Sequence, residues 1–260
     1  MSIRHRMASY WAEIKYIASC GTFADKAALL KATVRHHSAN WTRQGRDDNS
    51  LFKLNLGDGE VVMRSAGGDL SSFFEVIGER AYDIPAEYLD PATVRTIVDC
   101  GAHLGFSAIF FARKYPQARI VALEPNPTNF SLLCRNVAAF KRITPVQACV
   151  TGQSGTVMIS TAGAGDSHRI VETGGLAVEG MTIAEICTRF GIETIDLLKM
   201  DIEGGEAEVF ANGIDGNIRA LVMELHRGIG YEYERFVRDA APRTVSRAKA
   251  LDIVWALPAT

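Results

Sequence analysis

Acidic side chains end several apolar stretches of this 260-residue sequence, and glycines follow two of them. The stretch Arg95–Cys100 is apolar and β-branched around Asp99, which suits a strand buried on both faces. Gly101 and Gly105 then punctuate a turn, and a helical pattern begins at Leu104. Such a turn lies at a helix N-terminus, where we expect free backbone amides to point toward a ligand.

Glu124 closes the next apolar stretch, Arg119–Glu124, and its carboxylate can accept hydrogen bonds from both hydroxyls of a ribose. The dinucleotide fingerprint G-x-G-x-x-G is missing, because the order here is D-x-G-x-x-x-G, with Asp99 two positions before Gly101. A carboxylate at that place repels a pyrophosphate and attracts a cationic amino-acid moiety. The pattern therefore favours S-adenosylmethionine over a nicotinamide dinucleotide. An ordinary strand-to-helix turn is the alternative.

A second group of carboxylates ends the stretch Ile195–Glu206, which contains two glycines before a predicted helix. Asp201 and Glu203, two positions apart, are expected to share one side of an extended backbone and to point into a cleft. They could accept a proton, bind the amino group of the cofactor or bind a hard metal ion; a solvated strand end is the alternative. Asp196, at the start of this strand, is expected to cap or pair locally.

The stretch Leu221–His226 supplies a further pair, Glu224 and His226. Histidine is readily neutral and basic near pH 7, so His226 is predicted to be a general base or a substrate ligand, with a structural histidine as the alternative. Together with Asp201 and Glu203 this pair could bind magnesium, but the spacing is not diagnostic and no metal is expected.

The elements that must position these side chains alternate between strand and helix from Arg95 onward. This order predicts an α/β fold, a doubly wound and mostly parallel sheet with helices on both faces. Because ligands bind at the carboxyl ends of such strands, one cleft can hold all the acidic side chains. Strands are predicted over 95–100, 119–124, 143–150, 156–160, 195–202, 220–226 and 252–257, and helices over 104–114, 127–139 and 182–190.

The first 90 residues form the lead-in to this sheet. Residues 1–50 are predicted to be an accessory helical segment, helical from 7 to about 38 with an interruption at Gly21, whose role is packing over the main domain, a homodimer contact or a membrane-surface helix. Alternating residues around a glycine turn predict a β-hairpin over 51–64, and a helix over 69–82 is expected to be capped by Asp69 or Ser71. The main domain is predicted over 51–260, with a hairpin lead-in (51–90) and a cofactor-binding sheet (95–260).

Composition excludes several other classes. A net charge of −2 and a pI near 6.3, with no run of like charge, argue against nucleic-acid binding. The 5 cysteines are scattered without a C-x-x-C pair, so neither disulfides nor a thiolate zinc site are indicated, and a reducing cytoplasm is expected. No stretch approaches the roughly 20 apolar residues of a transmembrane helix, and Glu13 and Lys15 interrupt what would be the core of a signal peptide.

Four motifs in one order, VDCGAHLG, VALEPNP, IDLLKMDIEGGE and LVMELH, resemble the FkbM family of S-adenosylmethionine-dependent methyltransferases. The resemblance covers roughly residues 52–226. It implies a class I methyltransferase (Rossmann-like) fold and methylation of a hydroxyl on a sugar, glycan, polyketide or another secondary metabolite.

The resemblance also implies where the cofactor binds. The glycine turn would hold its methionine end, Glu124 its ribose and the residues after Glu124 its adenosine, while the upstream region with Arg64 and Glu75 would cover it. His103 stands where the family usually has Asn, but it can still donate from one nitrogen. The predicted cofactor contacts are Tyr82, Asp99, Gly101, Ala102, His103, Gly105, Glu124, Pro125, Asn126, Asn129 and Asp201, and the predicted catalytic residues are His226, Asp201 and Glu203.

Methyl transfer from a sulfonium is an in-line displacement, so the enzyme must align a nucleophile and exclude water. A protonated alcohol is a poor nucleophile, and a base near the methyl group therefore favours an O-methyltransferase acting on a small molecule or glycan. Two other classes use the same sheet: a nicotinamide-dependent oxidoreductase, against which the missing G-x-G argues, and a non-catalytic cofactor-binding module, against which the carboxylate pairs argue.

Overall fold

A computed structural model describes residues 13–18, 22–39, 50–65, 68–160, 174–212, 214, 217–225, 232–241, 243–247 and 253–257. Residues 13–18 are helical and helix α1 (Phe23–Ala39) follows, whereas the interruption predicted at Gly21 falls on residues 19–21, which lie outside the described residues. Thr22 begins α1, because its hydroxyl accepts a hydrogen bond from the Asp25 amide at 3.0 Å. The boundary between residues 1–50 and the main domain stays a prediction, as does the homodimer contact.

The predicted hairpin is confirmed as β1 (Leu51–Asn55) and β2 (Glu60–Arg64), paired antiparallel. The helix expected over 69–82 is shorter: α2 (Asp69–Phe73) continues as a π-helical turn (Phe74–Gly78) and ends there. Its first turn has no side-chain cap, so the expectation that Asp69 or Ser71 caps it is wrong.

The rest of the described chain alternates as predicted, with additional elements toward the C-terminus. In chain order it forms β3 (Thr96–Cys100), α3 (Phe106–Lys114), β4 (Arg119–Leu123), α4 (Pro127–Asn136), β5 (Ile143–Val146), β6 (Cys149–Val150), β7 (Gly155–Ile159), β8 (Leu176–Met181), α5 (Ile183–Phe190), β9 (Thr194–Met200), α6 (Glu206–Ala211), β10 (Asn217–Glu224), α7 (Tyr233–Asp239), β11 (Thr244–Arg247) and β12 (Ile253–Leu257).

Seven strands form the main sheet in the order β11-β12-β10-β9-β3-β4-β5. The pairs from β10 to β5 are parallel, and β12 is antiparallel to both of its neighbours. The chain leaves β3 toward β4 and β5 and later returns to β9 on the other side of β3. This reversal places a crevice at the carboxyl ends of β3 and β9, where doubly wound sheets bind ligands.

Alternation along the central strands builds an apolar core on each face of the sheet. Ile97 and Leu197 face the layer that contains α1 to α4, whereas Val98 and Leu198 face the layer that contains α5 to α7. All four side chains are fully buried, which explains why these strands read as continuous apolar runs rather than as alternating ones. The α/β, mostly parallel fold predicted from the sequence is confirmed.

A small second sheet, β6-β8-β7, was not predicted. The strand expected over 143–150 is split, because Ile143–Val146 pairs with β4 and Cys149–Val150 pairs with β8. Only Gln147 and Ala148 separate the two strands in the sequence. Among the described residues, no helix has the length and apolar character to cross a membrane.

Candidate active site

A cleft of about 220 Å³ opens at the carboxyl edge of the main sheet. The ends of β3, β4, β9 and β10 form one side and α2 with its π-helical turn forms the other. A smaller cavity of about 40 Å³ adjoins it and is lined also by Tyr82, Ala102, Phe106, Ser107 and Lys199. The residues that line the cleft are Gly68, Ser71, Ser72, Glu75, Gly101, His103, Glu124, Pro125, Asn129, Asp201, Glu203 and Glu224.

The glycine turn brings β3 and β9 into close contact. Gly101 has φ +78°, and a Cβ at this position would lie 1.8 Å from the carbonyl oxygen of Asp201. Gly105 has φ +89°, and a Cβ there would lie 2.7 Å from Leu133 Cδ1 on α4. Gly101 still lines the cleft, whereas Gly105 serves the packing of α4 and is not brought to it.

The backbone amides of the turn are mostly used inside the protein. Gly101 and Ala102 donate to the Leu123 carbonyl, at 3.0 and 2.8 Å, and Gly105 donates to the Ala102 carbonyl at 2.7 Å. The expectation that these amides point to a ligand is therefore wrong for them. Helix α3 begins next to the cleft without a side-chain cap, so its first turn offers the amides that could receive an anionic group.

Glu124 follows β4 and lines the cleft with 5% of its surface exposed. Its Oε2 accepts a hydrogen bond from the His103 amide at 2.9 Å, and its Oε1 accepts from the Asn126 amide at 2.9 Å. These donors fix the carboxylate between the glycine turn and α4. Pro125 lines the cleft, but the Asn126 side chain caps α4 by accepting from the Thr128 amide at 2.8 Å and is not brought to the cleft.

A network of polar side chains supports this carboxylate from the hairpin side. Arg64 binds Asp69 with two hydrogen bonds of 2.7 Å and donates to Asn129 Oδ1 at 2.7 Å. Asp69 also lies 3.4 Å from His103 Nε2, and Asn129 Nδ2 donates to Glu124 at 3.4 Å. Burial acts to raise the pKa of Asp69, but the nearby His103 ring and the Arg64 guanidinium outweigh it and hold that pKa below its usual value.

Asp201 and Glu203 both line the cleft, but the backbone between them is not extended. Strand β9 ends at Met200, two residues earlier than predicted, and Glu203 adopts φ +56°. The left-handed turn, rather than strand alternation, brings the two carboxylates to one cleft. Glu224, the last residue of β10, joins them, whereas His226 lies outside the described residues and its role stays a prediction.

Lys199 is the chief side chain that the sequence reasoning missed. It lies on β9 opposite Asp99 of β3 and lines the smaller cavity. Its Nζ is 3.4 Å from both Asp99 Oδ1 and Asp201 Oδ2, and these carboxylates outweigh the effect of burial and raise the pKa of Lys199. A lysine inside an apolar strand was the available signal, because charged side chains are rarely buried unless they are paired.

Tyr82 is brought to the same place and donates a hydrogen bond from its hydroxyl to Asp201 Oδ2 at 3.0 Å. Burial, together with the negative charges of Asp201, Glu224 and Glu75, raises the pKa of Tyr82 well above its usual value, so the hydroxyl stays a donor. Asp196 instead accepts from the Arg95 amide at 2.8 Å and pairs with Arg219, away from the cleft, as expected.

Asp99 is fully buried beneath the turn and does not line either cavity. The Ser107 hydroxyl donates to its Oδ2 at 2.6 Å, while its Oδ1 makes no hydrogen bond with the described residues. Burial raises the pKa of Asp99, and Lys199 and Ser107 oppose that effect. Direct contact between Asp99 and a cofactor stays a prediction.

The donor and acceptor set fits an adenosine ligand that carries an amino-acid moiety. Glu124 offers a carboxylate to ribose hydroxyls, and the start of α3 offers amides to a carboxylate. The buried His103 Nε2 makes no hydrogen bond with the described residues and lies at the wall of the cleft. Within the described ranges, no group of three or more His, Cys, Asp or Glu side chains is arranged to hold a metal ion.

The family described as "Methyltransferase FkbM domain" matches residues 99–241, more than half of the 260-residue chain. The chain belongs to the FkbM methyltransferase family. The nicotinamide oxidoreductase is therefore not its class, and the glycine turn, Glu124 and the Asp201–Glu203 turn of this FkbM-family enzyme all lie within the matched range.

Relatives of this FkbM-family chain are methyltransferases of diverse organisms. Methyltransferase sdnD of Sordaria araneosa is 28% identical over 208 residues, 64% of this chain and 78% of that protein. The hexuronic acid methyltransferase AglP of Haloferax volcanii is 24% identical and covers 50% of this chain and 56% of its own length. The 31-O-demethyl-FK506 methyltransferase FkbM of Streptomyces tacrolimicus is 23% identical over 66% of this chain and 81% of that protein.

The solved structure of a methyltransferase FkbM from Methylobacillus flagellatus aligns with 96% of this chain and 58% of that one, at 12% identity and a TM-score of 0.47.

Two residues of this FkbM-family site adopt a backbone conformation that L-residues rarely populate. His103 has φ +49° and Glu203 has φ +56°, and both line the cleft. The only other such non-glycine residue in the described ranges is Arg80. Backbone strain of this kind costs of order 1–3 kcal/mol and tends to collect at functional sites.

Proposed function

We propose that this methyltransferase uses S-adenosylmethionine to methylate a hydroxyl group of a sugar, glycan, polyketide or similar secondary metabolite. One observation carries the proposal: a single cleft brings together the carboxylate of Glu124, which follows β4, with those of Asp201, Glu203 and Glu224. The names of two relatives support this class of acceptor. AglP is named a hexuronic acid methyltransferase, and the name 31-O-demethyl-FK506 methyltransferase indicates methylation at an oxygen atom.

The cofactor would be held by residues from three segments. Glu124 would bind the ribose, with Asn129 and the His103 amide keeping its carboxylate in place. The uncapped start of α3 would bind the methionine carboxylate, next to Gly101 and Ala102. When bound, S-adenosylmethionine supplies a methyl group on a positively charged sulfur.

The acceptor hydroxyl needs a base in the cleft. Asp201 is the best-placed carboxylate for this role among the described residues, because Tyr82 and Lys199 hold its Oδ2 and its side chain still reaches the cleft. Glu203, turned into the same cleft, would orient the acceptor. His226 follows β10 by two residues, and its predicted role as general base stays part of the proposal.

The proposal is tested first by isothermal titration calorimetry with S-adenosylmethionine, S-adenosylhomocysteine and NAD. Binding of the two S-adenosyl compounds without NAD is expected, and tight NAD binding alone would refute the proposal. Radiolabelled methyl transfer to a panel of sugars, oligosaccharides and macrolides then identifies the acceptor class.

Variants of the cleft separate catalysis from binding. Asp201→Asn and His226→Ala are expected to lower kcat by roughly 10²–10⁴-fold, the usual contribution of a positioned base. Glu179→Gln is the matched control, since Glu179 lies on the surface, paired with Arg189. Turnover by Asp201→Asn at the rate of Glu179→Gln would show that Asp201 is not the base.

No metal is required in this proposal. Dialysis against EDTA is expected to leave methyl transfer unchanged, and restoration of a lost activity by Mg²⁺ would reveal a metal-assisted reaction instead.

A further inference from the structure

Lys199 is an ammonium group buried inside the apolar strand β9, and the proposed reaction assigns it no step. Its side chain is only 2% exposed, and its neighbours in the strand, Leu198 and Met200, are fully buried. Charged side chains are almost never buried to this degree unless their partners repay the loss of water. The partners of Lys199 therefore show what its burial achieves.

The ammonium group contacts two different segments of the site. On the β3 side its Nζ donates to the Gly101 carbonyl at 2.7 Å and to the Cys100 carbonyl at 3.3 Å. On the β9 side it lies 3.4 Å from Asp201 Oδ2. One cation thus connects the turn beside the cofactor with the carboxylate beside the acceptor.

Asp201 Oδ2 is held from two directions. The Tyr82 hydroxyl donates to it at 3.0 Å, and Lys199 Nζ lies 5.2 Å from the centre of the Tyr82 ring. Tyr82 and Lys199 therefore restrict the rotation of the Asp201 side chain together. Tyr82 lies in the segment that follows the π-helical turn, and that turn forms the other side of the cleft. The hydrogen bond from Tyr82 therefore also connects Asp201 to that side.

We propose that Lys199 is a positioning residue that fixes the Asp201 carboxylate relative to the Gly101 turn. By this contact the Gly101 turn and the Asp201 carboxylate keep a single spacing, which an in-line methyl transfer requires. The inference rests on the proposed function, because it gives Asp201 its place at the reacting centre. It adds a residue that acts through Asp201 and through the turn without touching the acceptor.

Neutralisation of Asp99 is the competing role for Lys199. Asp99 Oδ1 also lies 3.4 Å from Nζ, and a buried carboxylate needs a counterion. If this were the whole role, Lys199 would become dispensable once Asp99 is made neutral. A double-mutant cycle between the two positions distinguishes the two roles.

The cycle compares the parent, Asp99→Asn, Lys199→Met and the double variant. The Asp99→Asn background removes the unpaired buried charge that would otherwise destabilise Lys199→Met. Lys53→Met is the matched control, because Lys53 lies exposed on the hairpin and pairs with Glu60. Thermal melting first establishes that each variant is folded.

Two measurements are made on the folded variants. Calorimetry with S-adenosylhomocysteine is expected to show that Lys199→Met raises Kd by at least about tenfold in the Asp99→Asn background, the effect of losing hydrogen bonds from a charged donor. Crystal structures of Asp99→Asn and of the double variant are expected to show a changed Asp201 rotamer only in the latter. Tyr82→Phe is expected to move Asp201 in the same way.

Equal Kd values for Asp99→Asn and the double variant, with Asp201 unmoved, would overturn the inference and leave Lys199 as the counterion of Asp99. If the parent binds neither S-adenosylmethionine nor S-adenosylhomocysteine, the proposed function fails instead. The crystal structures would still decide whether Lys199 positions Asp201, so the two failures are distinguishable.

Discussion

Replacement of Gly101 by alanine tests the close contact on which the cleft is built. A Cβ at residue 101 would lie 1.8 Å from the Asp201 carbonyl oxygen, where contacts under 3.0 Å are essentially never found. The ends of β3 and β9 must therefore separate by more than about 1 Å in this variant. These ends are joined by a hydrogen bond of 3.2 Å, which the Asp201 amide donates to the Cys100 carbonyl.

Two costs add at this position. An L-residue at φ +78° costs about 1–2 kcal/mol, and forcing a packed site apart costs about 1–3 kcal/mol more. Gly101→Ala is thus expected to lower the free energy of unfolding by roughly 2–5 kcal/mol. Because the displaced turn also carries the cofactor wall, the Kd for S-adenosylhomocysteine is expected to rise about 10²-fold, as misplacement by about 1 Å commonly does to active-site function.

Gly57→Ala is the matched control. Gly57 lies in the hairpin turn with φ +93°, and a Cβ there would meet no atom within 4 Å. This variant is expected to show the conformational cost of about 1–2 kcal/mol alone and an unchanged Kd. Urea unfolding and calorimetry measure both quantities. If Gly101→Ala matched Gly57→Ala in stability and in Kd, the tight contact between the turn and Asp201 would be refuted.

The other predictions concern two buried carboxylates, Glu124 and Asp69. Glu124→Gln is expected to raise the Kd for S-adenosylhomocysteine by about 10–100-fold, because a neutral amide replaces a charged acceptor of ribose hydroxyls; calorimetry beside Glu179→Gln measures this, and equal values would remove Glu124 from the ribose site. Asp69→Asn is expected to lower the free energy of unfolding by about 3–5 kcal/mol near pH 6, because Arg64 loses its buried partner. Since the pKa of Asp69 lies below 3.8 in the folded protein, this stabilisation is present above pH 3.8 and lost as the pH falls through the folded value. Urea unfolding at steps from pH 6 to pH 3 should therefore show the gap between parent and Asp69→Asn closing, and a gap that does not change with pH would contradict the ion pair.

Local sequence patterns were enough to locate the strand ends that line the cleft. The apolar runs that became β3, β4 and β9 are buried on both faces, so their ends could be predicted within one or two residues. Carboxylates at those ends fall at one edge of a parallel sheet, which is why Glu124 and Asp201 were predicted to meet. Alternation could not reveal the side sheet β6-β8-β7, because β6 has only two residues and the burial of β7 and β8 does not alternate regularly.

The turns show where local reasoning fails. The amides of the glycine turn were expected to point to a ligand, but those of Gly101, Ala102 and Gly105 bond inside the protein, and the turn packs against the Asp201 carbonyl and α4. Asp69 was expected to cap a helix, but it binds Arg64 and His103 instead. Both outcomes depend on which distant segment lies against the turn.

By itself, the sequence determined the sheet, its buried strands and the family of this methyltransferase, because these follow from periodicity and from four contiguous motifs. Only the tertiary structure decided that Lys199, Tyr82 and Asp201 form one cluster. Tyr82 and Asp201 are 119 positions apart in the sequence, but the Tyr82 hydroxyl lies 3.0 Å from Asp201 Oδ2. Contacts of that kind depend on how strands are ordered and how loops return, which no local pattern encodes. The glycine turn could be located from its sequence, whereas only the fold shows that Lys199 connects this turn to the Asp201 carboxylate.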